Sequence, residues 1–423
     1  MLQLSPRPPG IEPPGPYQTQ KNSRSMPFET LKPSTQLRFI ELDSVRALAA
    51  LWVFAYHVWQ FGGSPLLPVS VAGFSFDLFA PIHHGPAGVD GFMVLRGFCL
   101  FWPLTKKSAV FDWKDYTIKR ARRILPAYYG AMAYAILAPI LLVFIVRLAG
   151  WQANIQPIPS PRQILTHLLF IHTLFRDTWD GITGAFWSMG LEAQFYVAFP
   201  FLAWAWKRIG IRAIAYAALA SLVFRIGVGL LASEGSSIDS FLLSITFLGR
   251  WMQFAAGMAA ALWVRHNLNS IVPISPLQWC GLAASSILFG VIGLVAPSIT
   301  HGPVPLRDIL LATGSAGLLA SLCTAPKWVK SPLLHGPLPF LGRISYSFFL
   351  IHQPTSWYAM EFFRKKLSFS GAPLVLLGYT AGFVITAICS TAFYHIFERP
   401  FLSSSNKTAP PIPVSNRQPQ SVA

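Results

Sequence analysis

The sequence predicts an all-α integral membrane protein, a bundle of about ten transmembrane helices with one short re-entrant or interfacial helix. Three observations predict this. Mean hydropathy is +0.47. Of the 423 residues 53% are hydrophobic and only 12% are charged, with 14 Trp and 33 Phe. That is about half the charge of a soluble domain, and more apolar surface than a water-bound core can bury, so lipid is the implied solvent. Finally, the apolar residues fall into runs near the ~20 residues that a membrane helix requires. A soluble enzyme, a disordered chain and a secreted disulfide scaffold are excluded on the same grounds. Cys99, Cys280, Cys323 and Cys389 sit in apolar stretches without metal-ligand spacing and read as packing residues, so no metal site is expected.

Residues 1–37, with PRPPG and PPGPY, read as a disordered cytoplasmic tail without the apolar run of a signal peptide. A membrane domain is expected over 38–401. Its spans are placed near 43–62, 87–105, 124–148, 186–206, 210–232, 241–264, 276–297, 307–325, 343–361 and 371–396. Residues 161–176 are apolar but short, which suits a re-entrant or interfacial helix. Residues 402–423 read as a second disordered cytoplasmic tail, so no further folded domain is expected after the last span.

The formal net charge of +17 comes from 33 Lys+Arg against 16 Asp+Glu. These cations lie in short segments between apolar runs, which is a topology signal rather than a nucleic-acid footprint. With the N-terminus inside, one cytoplasmic loop holds Lys106, Lys107, Lys114, Lys119, Arg120, Arg122 and Arg123. Asp77, Asp177 and Asp180 fall outside, and Arg364, Lys365 and Lys366 are the exception. Both termini are therefore expected in the cytoplasm, with the chain in the plasma (inner) membrane and the lipid bilayer as its first partner.

An ionisable group in a span is a functional candidate, because lipid makes it costly unless it is paired or wetted. The first span carries three. At ~100° per residue Asp43, Arg46 and His57 share one stripe, with His57 ~16 Å deeper than Arg46. Asp43 and Arg46 could simply pair at the interface; alternatively, His57 is a buried general base. Arg96 interrupts the second span and needs a carboxylate or an anionic ligand. Glu192 and Tyr196 follow Trp187 in the fourth, and His352 lies in the ninth. Arg120, Arg122 and Arg123 open a helix; they either face lipid headgroups or bind phosphate bidentately.

Read in order, these segments resemble the acyltransferase 3 family of membrane O-acyltransferases. The resemblance rests on Leu42-Asp43, Arg46-Ala47-Leu48-Ala49 and Tyr56-His57, then on Gly88-Val89 with Leu95-Arg96-Gly97-Phe98. It continues through Lys119-Arg120, Arg123, Pro126 and Tyr128, then Trp187-Ser188, Glu192, Tyr196 and Pro200. It closes with Phe340 to Ser347, Leu350-Ile351-His352-Gln353-Pro354 and Phe397-Glu398-Arg399-Pro400-Phe401. Arg96 departs from the family, which usually has Ser there.

The resemblance implies acyl transfer, often acetyl, from acyl-CoA to a hydroxyl of a carbohydrate or other small acceptor. It implies a donor substrate and no tightly bound cofactor. His57, Arg46, Asp43 and Glu192 are then the catalytic candidates. Arg120, Arg122, Arg123 and Arg96 are candidates for holding the donor, and Tyr196, Trp187 and His352 for binding substrate. The rivals are a proton-coupled transporter using the polar stripe, disfavoured by the lack of an internal repeat, and a non-catalytic relative.

Overall fold

The computed structural model describes residues 39–106, 109–148, 150, 158–231, 237–295 and 306–402. The two predicted tails, Leu402 aside, lie outside the described residues. What is described is almost wholly helical.

Helix α1 (Glu41–Phe61) carries Glu41 and Asp43 in its first turn, where carboxylates complement the helix dipole. A small antiparallel hairpin follows, β1 (Pro68–Val71) with β2 (Phe74–Asp77), Val71 opposite Phe74. Its two-residue turn needs positive φ at both positions, and Ala72 and Gly73 supply 51° and 85°. Helix α2 (Ala87–Phe101) and the long α3 (Trp113–Leu148) come next, α3 with Pro126 and Pro139 inside it. The predicted short segment forms α4 (Pro161–Leu168), opened by a capping box between Ser160 and Gln163. Then come α5 (Trp187–Ile209), α6 (Ile211–Leu231) and α7 (Phe247–Asn269). They are followed by α8 (Pro276–Val295), α9 (Leu306–Thr324) and α10 (Leu338–Lys366). The last stretch is α11 (Gly371–Leu377) and α12 (Phe383–Phe393), joined through wide turns at Gly378–Gly382.

A helix stands at each predicted span, yet the expected count of about ten is met only in part. Among the described residues six stretches are long and apolar enough to cross a membrane: Ala87–Thr105, Trp113–Leu148, Ile211–Leu231, Pro276–Val295, Leu306–Thr324 and Gly371–Phe401. They make the chain a multi-pass membrane protein. The other four helices, α1, α5, α7 and α10, carry polar side chains within their apolar runs, among them Arg46, Glu192, Arg250 and His352, which lower their mean hydropathy. Leu137, Leu141, Phe144 and Ile145 of α3 are exposed, as side chains facing lipid tails would be.

Two close crossings set the interior. A Cβ on Gly97 of α2 would strike the Phe254 carbonyl of α7, and one on Gly257 of α7 would strike the Val94 carbonyl of α2. These helices meet backbone to backbone, as small residues permit. In the same way Gly342 of α10 leaves room only for the Asp43 carbonyl of α1. Buried charges are paired across helices: Arg225 of α6 with Asp308 of α9, and Asp90 of α2 with Arg250 of α7. Gln253 Nε2 also donates to Asp90 at 3.0 Å.

Candidate active site

The crossings bring α1, α2, α3, α5 and α10 around one cavity. Arg46, Arg96, Arg120, Arg123, Glu192 and Tyr196 line it, together with Cys99, Ser188, Ser345, Tyr346, Phe92 and Phe349. Four guanidiniums thus face a space that holds a single carboxylate, Glu192. Arg96 pairs with Glu192 at 2.5 Å. Tyr196, one helical turn from Glu192, donates its hydroxyl to the other carboxylate oxygen at 2.6 Å. Arg96 Nη1 is buried and has no hydrogen-bond partner among the described residues. Arg46 is held by Asp43, which accepts from Nη1 at 2.5 Å, and its Nη2 donates to Cys99 Sγ at 3.1 Å. The Arg120 guanidinium lies over the Tyr116 and Tyr196 rings, 5.7 and 5.5 Å from their centroids. The result is an anion-binding geometry among partly buried guanidiniums.

The histidines stand apart from it. Because α1 runs unbroken from Glu41 to Phe61, His57 is ~16 Å along the axis from Arg46, and it does not line the cavity. It is half-buried, and Nδ1 donates to Gln60 Oε1 at 3.1 Å, while Gln60 Nε2 donates to Tyr56 Oη at 2.9 Å. Its ring centroid is 5.4 Å from that of His352 on α10. His352 in turn is 5.4 Å from Phe349, which lines the cavity and packs edge-on against Phe92. A continuous chain of ring contacts therefore leads from the cavity through Phe349 and His352 to His57.

Several expected residues sit elsewhere. Arg122 is exposed on α3 and does not line the cavity, because it faces away from the side that presents Arg120 and Arg123. Trp187 lies outside the cavity wall, under the Arg250 guanidinium at 5.8 Å. His352, expected to bind substrate, is completely buried, so its ring touches protein only. Arg96, which needed a carboxylate or an anionic ligand, takes Glu192, and Asp90 takes Arg250. Sequence reasoning passed over Cys99, three residues after Arg96 on the same helix face, since it looked like packing. It also passed over Ser345 and Tyr346, although both lie in a segment that carried the resemblance.

A family model described as an acyltransferase domain matches residues 39–395. The chain belongs to the acyltransferase 3 family. It is 25% identical over 374 residues to a Bacillus subtilis protein provisionally named a peptidoglycan O-acetyltransferase, covering 85% of this chain and 54% of the relative. It is 23% identical over 333 residues to the peptidoglycan O-acetyltransferase of Listeria monocytogenes, covering 74% and 48%. A Staphylococcus aureus protein provisionally named an O-acetyltransferase is 22% identical over 404 residues, covering 86% and 58%. The chain spans about half the length of the curated relatives it matches. No solved structure matches it. Its six long apolar stretches and its family together mark the chain as a multi-pass membrane member of the acyltransferase 3 family.

Proposed function

We propose that the chain moves an acyl group, acetyl by analogy with its named relatives, from acyl-CoA to a hydroxyl of a carbohydrate. One observation carries this reading: a single cavity with an excess of guanidiniums over carboxylates stands on the same helix as a reachable histidine ~16 Å away. Arg120 and Arg123 are suited to the donor's phosphates, each offering bidentate contacts. With both termini in the cytoplasm, they stand at the cytoplasmic end of α3. Its distance from His57 supports reading Arg46 as a contact for the donor's body rather than for the reacting carbonyl, with Asp43 orienting it. A donor held there would need its extended pantetheine arm to cover the ~16 Å to His57.

With Nδ1 donating to Gln60, neutral His57 presents a lone pair at Nε2. Nε2 takes the proton of the sugar hydroxyl as its oxygen attacks the thioester carbon; the C–S bond then breaks and the sulfur leaves as CoA thiol. Proton transfer of this kind contributes ~10²–10⁴-fold. Glu192 holds Arg96 and Tyr196 in the donor wall. We read Glu192, expected among the catalytic residues, as part of that wall, because it lines the cavity and His57 does not.

CoA release from acetyl-CoA by detergent-purified protein, wild type beside His57→Ala, tests the reading with a panel of N-acetylglucosamine and N-acetylmuramic acid oligomers. Sugar-dependent release that disappears in His57→Ala is the expected result. Protein that binds no CoA overturns it and favours proton-coupled transport through the polar stripe.

A further inference from the structure

The donor cavity and His57 leave one buried reactive group unused. His352 is completely buried, and its Nδ1 lies 2.7 Å from the Phe349 carbonyl of the preceding turn. A carbonyl only accepts, so Nδ1 carries the hydrogen and Nε2 of the neutral ring is a bare lone pair. That nitrogen is buried without a hydrogen-bond partner among the described residues. A buried acceptor left empty is costly unless a donor arrives at some stage of the cycle. The neighbouring ring is His57, 5.4 Å away between centroids. Its Nδ1 is occupied by Gln60, so its other nitrogen is the one that changes protonation. The two imidazoles differ in access: His57 is half-buried and reachable, whereas His352 meets only protein.

We infer that His352 is a positioning residue that shares the proton His57 removes from the sugar hydroxyl. This role rests on the proposed reading of His57 as the base. The O–H bond breaks as His57 Nε2 takes the proton and the oxygen bonds to the thioester carbon. The N–H of the resulting imidazolium is shared with His352 Nε2, which keeps it from returning to the oxygen. As the C–S bond breaks, the same proton passes back through His57 to the sulfur, so His352 ends each cycle neutral. Phe349 serves twice here, its carbonyl fixing the His352 tautomer and its ring forming the cavity wall.

The test reads the shared proton and turnover separately, on full-length protein in detergent. Nitrogen-15 histidine spectra of wild type, taken as pH is lowered until the pair binds one proton, should show a downfield N–H resonance coupled to two ring nitrogens. His352→Asn, whose amide can still donate to Phe349 O but which has no second nitrogen, should lose that resonance. In CoA release from acetyl-CoA with an N-acetylglucosamine oligomer, His352→Asn should lower kcat roughly ten- to a hundredfold, less than loss of the base itself. The KM for acetyl-CoA should stay unchanged, and His352→Gln, with an oxygen near the Nε2 position, should recover most of kcat.

The spectrum needs no sugar and decides the matter even where that oligomer is not the substrate. No such resonance in wild type, or its persistence in His352→Asn, overturns the role. Equal losses of kcat in the Asn and Gln variants, with lowered melting temperatures, also overturn it and mark His352 as structural. Release that persists in His57→Ala overturns the base reading and this role together. An inactive His57→Ala beside His352→Asn at wild-type kcat overturns this role alone.

Discussion

Arg96 of α2 and Glu192 of α5 form an ion pair at 2.5 Å inside the cavity, with side chains only 17% and 7% exposed. Tyr196 holds the second carboxylate oxygen, so one carboxylate ties a cation and a phenol into the same wall. Within a membrane protein such a pair does more to fix neighbours than to add stability, because burial of the two charges offsets much of their attraction.

The first prediction concerns this pair. Removing one partner leaves the other buried and uncompensated, a loss of about 3–5 kcal/mol for buried pairs. Glu192→Gln and Arg96→Met should each lower the melting temperature in detergent. The double variant should lose clearly less than the sum of the two, with a coupling of about 1 kcal/mol or more. Additive losses would mean the two side chains act independently.

Much of this site was legible in the sequence, and the rest was not for a definite reason. Charges that interrupt apolar runs pointed to Arg46, Arg96 and Glu192, and helical spacing put Asp43 beside Arg46. Pairings between helices are another matter. Nothing local tells Arg96 to choose Glu192 or Asp90 to choose Arg250, because those choices follow from where the glycine crossings place α2 against its neighbours. Burial was equally hidden. His352 and His57 look alike in the chain, yet only one is reachable. Polar residues within the apolar runs also depressed the hydropathy of α1, α5, α7 and α10, whereas α2 and α3 carry Arg96, Arg120 and Arg123 and are still apolar enough to cross a membrane.

A second prediction separates three arginines that the sequence grouped together. Arg120→Ala and Arg123→Ala should each raise the KM for acetyl-CoA about tenfold, in line with roughly 1.5–3 kcal/mol for a hydrogen bond to a charged group. Arg122→Ala should leave it within about twofold, since that side chain is exposed and outside the cavity. Steady-state kinetics on the three variants distinguishes the cavity from a general basic surface, which would weaken equally with each loss.

The short α4 and the turn that follows it carry a pH response. His167 and His172 stack at 4.0 Å with ring planes 6° apart, and both are fully buried. Burial, reinforced by the neighbouring His167, pushes His172 down to about 4. Burial lowers His167 too. A histidine whose folded-state value lies below its unfolded value of about 6.5 favours the unfolded chain when protons are bound. Stability is therefore full above about pH 6.5 and falls toward pH 4, by on the order of 2 kcal/mol at pH 5 for His172 alone. Melting curves at pH 7.5 and pH 5 should differ more for wild type than for His172→Gln; equal differences would show that this pair is not the source.

The fourth prediction is steric. Gly97→Val places a side chain against the Phe254 carbonyl, where the neighbour is backbone and cannot turn aside. The variant should fail to yield monodisperse protein in detergent, whereas Gly91→Val, on the same helix with open space beside it, should purify normally. Size-exclusion profiles of the two compare them directly.

The contact of α2 with α7 through bare main chain also bears on how such an enzyme diversifies. The height of Arg96 in the membrane is set one residue away, at Gly97, by atoms that no substitution alters. Phe92, Met93 and Phe349 on the cavity wall hold no such post. Descendants can therefore reshape those walls while the cation keeps its level, much as a lock is re-keyed without moving the bolt.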